Sequence, residues 1–252
     1  MESRQVPLPE GPVREVRIRF LRTGERSPSA ARAHSARTVR QSAHDLARRM
    51  LAEFAGASPE EVRFRTLPGG RPEPDAPPAA RRFRFSLSHA EGVCLCAVVE
   101  GRPVGADVES LRELGPDPMA VASVVCSARE VEVLRETPAS DRPMRLLGLW
   151  IVKEAVAKAL GRGFRLPLDQ VEVHRDGSGR PVLRFDPRTG EDAARWRLAF
   201  ARIGPSHAAA VAVRGSPGER FRFRIEAEPD APHEEGDRAP HPPRRTSSVR
   251  ES

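Results

Sequence analysis

Residues 150–164 read WIVKEAVAKALGRGF. On a helix, Trp150, Glu154 and Lys158 are each one turn apart and form a single stripe. Gly161 and Gly163 then supply the glycine signal that ends a helix. The stretch also holds Lys153 and Lys158, the only lysines in the chain; the other 40 of its 42 Lys and Arg residues are arginine. Coding bias accounts for such a drift without asking anything of the structure. A position that keeps lysine is compatible with two readings. Glu154 and Lys158 form an ordinary i,i+4 helix pair, or the site needs a compact point charge where a planar guanidinium would not serve.

Working outward, GADVE (105–109) reads as a strand end. Residues i and i+2 of a strand point to one side, so Asp107 and Glu109 converge. Two unpaired carboxylates after an apolar strand are costly to bury. They suit a hard cation such as magnesium, which keeps several waters and works with phosphates, or they mark a strand end surfacing into solvent. Glu154 can add a third carboxylate, and Lys158, one turn on, can reach a phosphate held by that metal. Ser86–His89 (SLSH) ends another strand, where Ser88 and His89 can donate to a phosphate. A catalytic Ser/His pair would need an orienting acid and an oxyanion hole, for which the sequence has no signature. GGRP (69–72) reads as a turn with Arg71 available for phosphate.

No apolar run approaches the roughly 20 residues that span a bilayer. MESRQVPLPE lacks an apolar leader core, so no signal peptide is expected. Three cysteines, an odd number, argue against a disulfide framework. Cys94 and Cys96 alternate on GVCLCAVVE and read as buried structural thiols. A reduced, cytoplasmic protein is expected. The net charge of +7 favours an acidic partner: nucleic acid, a phosphorylated cofactor or an acidic protein. Tyrosine is absent, so stacking platforms for single strands are scarce.

Along the chain, VREVRIRFL (13–21) alternates as a strand, and helical spacing begins at Ser35 and stops at Gly56. Then come a short strand, a Gly/Pro turn and a loop, and three strands: RFRFSLS, GVCLCAVVE and PVGADVE. Helices return at 127–136 and from about Arg142 to Leu160. VEVHRDGSGRPVLRF is a hairpin, and RWRLAFARI, HAAAVAVRG and RFRFRIEAE are further strands. Each half thus reads as helix then small antiparallel sheet, and the halves meet near Gly105. The expected division is an extension at 1–12, an N-terminal half at 13–104, a C-terminal half with the metal site at 105–226, and a disordered polar tail at 227–252.

Taken together, GGRP, SLSH, GADVE and WIVKEAVAKALGRGF, in that order, resemble the 4'-phosphopantetheinyl transferase superfamily, in its two-halved surfactin-synthetase-activator type. The likeness covers roughly residues 13–225. It implies an α+β pseudodimer of two similar halves, each a small antiparallel sheet packed with helices, with the active site at their interface. The implied reaction moves the phosphopantetheine arm of coenzyme A onto a serine of an acyl or peptidyl carrier protein and releases adenosine 3',5'-bisphosphate. By the same resemblance Asp107, Glu109 and Glu154 hold magnesium, and Glu154 is the base for the carrier serine. Lys158 contacts the pyrophosphate. Ser88 and His89, with Arg71 and Pro72, hold the adenosine 3'-phosphate and base, and Arg37 faces that phosphate. Lys153 matches the motif without an assigned role. A pseudodimer of this kind is expected to be monomeric, with no nucleic-acid or membrane partner.

Residues 22–34 are less basic than in the family, and Ala106 stands where a bulkier residue is usual. A competing enzyme class is a magnesium-dependent nuclease or phosphohydrolase using Asp107, Glu109 and a lysine. Its usual acid-x-Lys strand order is not the Lys-Glu helix order found here. A third class is a basic binding module without catalysis.

Overall fold

In the computed structural model the described residues are 12–22, 32–68, 70–161, 166–177 and 179–228, with only the backbone described for 32–39. Alternation builds the first strand, β1 (Val13–Arg22): Val16 and Ile18 are buried between charged neighbours. Helix α1 (Arg32–Ala55) follows, buried through Leu46, Met50 and Leu51. Each such side chain contributes about 1.5–3 kcal/mol relative to exposure. A hairpin of β2 (Arg63–Thr66) and β3 (Pro72–Ala76) leads to β4 (Phe83–Ala90) and β5 (Val93–Glu100).

The second half repeats this order with two helices inserted. Strand β6 (Val104–Ser110) is followed by α2 (Pro118–Val125), α3 (Ala128–Glu136) and α4 (Arg142–Leu160). A hairpin of β7 (Val171–Arg175) and β8 (Pro181–Phe185) leads to β9 (Trp196–Ile203) and β10 (His207–Arg214). The sheets share one topology. Strands run β1-β5-β4 in the first and β6-β10-β9 in the second, so each half places its first strand beside its last. The chain is therefore an α+β protein of two similar halves.

A further strand, β11 (Arg220–Ala227), departs from that scheme. It pairs parallel to β1, so the first sheet is four-stranded and mixed rather than wholly antiparallel, and the last strand of the C-terminal half completes the N-terminal sheet. Without it β1 would present an open edge. Phe221 and Phe223 pack against the core between the sheets, and Glu219 accepts from Arg14 on β1 and from Arg102 in the β5–β6 turn.

The layers are α1, first sheet, second sheet, α4. Val93, Leu95, Ala97 and Val99 of β5 meet Val104, Ala106 and Val108 of β6 between the sheets. Cys96 and Val98 face α1 instead. Both strand cysteines are buried as expected, and burial alone pushes the Cys94 thiol up to about 11. Alternation then leaves Gly105, Asp107 and Glu109 on the face toward α4.

Several boundaries differ from expectation. Helix α1 starts at Arg32, three residues before Ser35. Strand β3 occupies the expected loop; its prolines hide it, yet a two-stranded edge pairing tolerates them. Helix α2 was not expected; Asp117 caps it by accepting from the Met119 and Ala120 amides. The expected tail begins too early, because β11 includes Ala227 and the Glu228 amide donates to the Phe20 carbonyl at 2.8 Å. Residues 229–252 of that tail and 1–11 of the extension lie outside the described residues. Among the described residues no helix is long and apolar enough to cross a membrane.

Candidate active site

Helix α4 lies directly on Gly105. A methyl group built there would come 1.8 Å from the Ala155 carbonyl oxygen and 2.5 Å from the Ala159 amide nitrogen. Only glycine permits that approach. The close seat brings the Glu154–Lys158 stripe of α4 over the Asp107–Glu109 side of β6.

Lys158 Nζ donates to Asp107 Oδ1 at 2.6 Å, to Ser88 Oγ at 3.0 Å and to the Ala106 carbonyl at 3.1 Å. Ser88 Oγ in turn donates to the same Asp107 oxygen at 2.9 Å. Asp107 is 2% exposed, and its second oxygen, Oδ2, is buried with no hydrogen-bond partner. One network thus joins β4 of the first half to β6 and α4 of the second. It also seals the outer edge of β6, which pairs only with β10. The Ala106 amide donates to Ser86 Oγ at 3.0 Å, and Arg71 donates to the Val104, Phe85 and Lys158 carbonyls at 3.0–3.3 Å.

Burial raises the Asp107 pKa, and the Lys158 ammonium counteracts it. Burial, then the neighbouring Asp107 charge, pushes Glu109 up to about 8. Glu154 is raised by burial and by Asp107, with partial relief from Lys158 and from the Trp150 indole, which donates to it. The three carboxylates therefore act on one another across the β6–α4 junction.

The sequence-expected residues separate into groups. Asp107, Glu109, Glu154, Lys158 and Ser88 come together. His89 is exposed and, being next to Ser88 on a strand, points to the opposite face. Arg71 is part-buried and bonded to backbone carbonyls, and Pro72 opens β3 beside it. Arg37 lies on α1, where no side chain is described. Sequence reading passed over Ser86 and the helix seat at Gly105.

Lys153 also gains a place. It is fully buried, and Nζ donates to the Val125 carbonyl at 2.7 Å, Glu130 Oε2 at 2.5 Å and the Leu168 carbonyl at 3.1 Å. Those three bonds match the three donors of an ammonium. Glu130 also accepts from the Ser127 and Val173 amides, so the pair ties α4 to α2, α3 and β7. The Ser127-x-x-Glu130 spacing is a capping-box signature legible in the sequence.

Among the described residues no three His, Cys, Asp or Glu side chains form a ready-assembled metal-holding group. The donor set nevertheless fits a hard divalent cation. The Asp107 Oδ2 lone pairs are unsatisfied, and Glu109 and Glu154 are pushed up by burial and then by the Asp107 charge, which a cation would neutralise.

Residues 103–212, from β6 to β10, match the model of the 4'-phosphopantetheinyl transferase superfamily. The 4'-phosphopantetheinyl transferase HetI of a Nostoc species is 30% identical over 170 residues, covering 68% of this chain and 68% of that protein. The chain belongs to the 4'-phosphopantetheinyl transferase superfamily. The transferase Sfp of Bacillus subtilis is 30% identical over 135 residues, covering 52% of this chain and 57% of that protein. A holo-(acyl-carrier-protein) synthase of Serratia proteamaculans is 38% identical over 89 residues, covering 34% of this chain and 67% of that protein. The matched segment carries Asp107, Glu109, Glu154 and Lys158, while Ser88 and Arg71 come from the half before it.

Proposed function

We propose that this chain transfers the 4'-phosphopantetheine arm of coenzyme A to a serine of an acyl or peptidyl carrier protein, releasing adenosine 3',5'-bisphosphate. The observation that carries this reading is the Lys158–Asp107–Ser88 network at the junction of the two halves, with Glu109 and Glu154 beside it. Magnesium held by Asp107, Glu109 and Glu154 would supply Lewis-acid charge neutralisation at the pyrophosphate.

The chain's own residues do the rest. Glu154, on α4 beside Asp107 and Glu109, takes the proton of the attacking serine hydroxyl. The serine oxygen bonds to the phosphorus that carries the pantetheine arm, and the bond to the bridging oxygen breaks, leaving with the bisphosphate. Lys158, fixed by three acceptors, stabilises the charge that develops on that oxygen. Ser88 holds Asp107 in place; His89, Arg71 and Pro72 border the adenosine end, and the Arg37 side chain lies outside the described ones. Both sides of the site come from one chain, which supports a monomer. Buried thiols support a reduced cytoplasmic setting.

The test is intact-mass spectrometry of apo carrier proteins incubated with this protein, coenzyme A and magnesium. The expected result is a gain of one phosphopantetheine on serine. No gain on fatty-acid, polyketide or peptide carriers would sink the proposal.

A further inference from the structure

The two sheets end on strands that face each other without a ladder. Strand β4 is the last of the first sheet, and β6 stands at the end of the second. The outward main-chain groups of such edges need partners from elsewhere. On β6 they find side chains. The Ala106 amide donates to Ser86 Oγ at 3.0 Å, and the Ala106 carbonyl accepts from Lys158 Nζ at 3.1 Å. The Val104 carbonyl, two residues earlier on the same edge, accepts from Arg71.

Arg71 serves more than that one carbonyl. Its Nη2 donates to the Val104 carbonyl at 3.2 Å and to the Phe85 carbonyl of β4 at 3.3 Å, so one nitrogen holds the two facing edges. Nη1 donates to the main-chain carbonyl of Lys158 at 3.0 Å, in the last turn of α4. A cation there also meets the negative end of the helix dipole. The turn that carries Arg71 is itself closed: the Gly70 amide donates to the Leu67 carbonyl, and the Leu67 amide to the Arg71 carbonyl, both at 2.9 Å. Lys158 is thus held at both ends. Arg71 fixes its main chain, and Asp107, Ser88 and Ala106 fix its ammonium.

The same bonds bear on phosphate. A guanidinium grips a phosphate two-pronged, through Nε with Nη2 or through Nη1 with Nη2. Both edges need Nη2, which Arg71 gives to the Phe85 and Val104 carbonyls.

We propose that Arg71 is a positioning residue for the transfer, a clasp across β4, β6 and α4 that sets Lys158, and not a ligand of the adenosine 3'-phosphate. The inference rests on the transferase reading above. Arg71 borders the adenosine end while its guanidinium is spent on the seam between the halves.

The variant R71M keeps an apolar stem and removes the guanidinium. Calorimetry on the full chain with magnesium gives its Kd for coenzyme A, and transfer to an apo acyl carrier protein gives its kcat. The kcat per folded molecule should fall about tenfold, as a small misplacement of a catalytic group does, while the Kd for coenzyme A stays unchanged. S86A opens the same seam at the Ala106 amide and takes no charge from any phosphate, so it should show the same split. A Kd for coenzyme A that rises about tenfold in R71M overturns the proposal, and a rise absent with 3'-dephospho-coenzyme A assigns Arg71 to the 3'-phosphate instead. A wild-type kcat in R71M overturns it as well. Should R71M not fold, R71Q, equally without charge, carries the same two measurements. Inactivity of the wild-type chain toward every apo carrier overturns the transferase reading, and this role in transfer with it.

Discussion

Gly105 of β6 lies so close beneath Ala155 of α4 that backbone, not side chain, would meet any added methyl group, at 1.8 Å. Backbone cannot turn aside as a flexible side chain can. Gly105→Ala must lift α4 off the sheet, and with it Glu154 and Lys158. Urea denaturation should show a loss of about 3 kcal/mol or more, at the upper end of overpacking. Single-turnover transfer should fall further than the unfolded fraction explains. Wild-type stability with wild-type turnover would mean that the helix seat is not what positions the stripe.

Much of this arrangement was legible before any coordinates. Period two put Asp107 and Glu109 on one side, and period 3.6 put Glu154 and Lys158 on one stripe; both periodicities are local. What escaped was non-local. The partners of Lys153 are a carboxylate 23 residues upstream and two carbonyls that sequence cannot place. The parallel seat of β11 beside β1 depends on residues some 200 positions apart, such as Arg14 and Glu219. Strand β3 was hidden by Pro72 and Pro74, which break the strand signal but not an edge pairing. The partners of Arg71 are backbone carbonyls, which leave no trace in side-chain identity.

The contrast between the two lysines is testable at Lys158. Its ammonium has acceptors at 2.6, 3.0 and 3.1 Å on a carboxylate, a hydroxyl and a carbonyl. A planar fork matches bidentate acids and does not fit that arrangement. Lys158→Arg keeps the charge, and transfer should still fall by about 10²-fold in kcat, comparable to removing one preorganised donor. Near-normal turnover would show that charge alone is needed there.

Lys153 should behave as a structural residue. Lys153→Met leaves Glu130 a buried carboxylate without its ion-pair partner, which costs about 3–5 kcal/mol. The double variant Lys153→Met with Glu130→Met removes both charges and should recover part of that loss in chemical denaturation. Recovery stays incomplete, because the Ser127 and Val173 amides lose their acceptor. A double variant no more stable than Lys153→Met would remove the ion pair as the reason lysine is kept.

Cation binding has a readout apart from turnover. Magnesium added to the wild-type protein should raise its melting temperature, because a ligand of the native state stabilises by mass action. The shift should disappear in Asp107→Asn, which removes the buried carboxylate charge that faces Glu109 and Glu154. An equal shift in that variant would place the cation elsewhere.

Glu219 sets a pH dependence remote from the site. Burial alone would raise its pKa, but the Ser216 amide and the Arg102 and Arg14 guanidiniums outweigh that and pull it from 4.5 down to about 2. A carboxylate depressed in the folded state binds fewer protons there than in the unfolded chain. Its contribution is therefore present in full above pH 4.5 and is lost as pH falls toward 2. Glu219 joins β1, the β5–β6 turn and the start of β11, so Glu219→Gln should lower the melting temperature at pH 6. The gap between wild type and variant should narrow steadily as pH drops from 4.5 to 2. A gap that stays constant over that range would mean that the β11 anchor is held by packing of Phe221 and Phe223 rather than by the Glu219 charge.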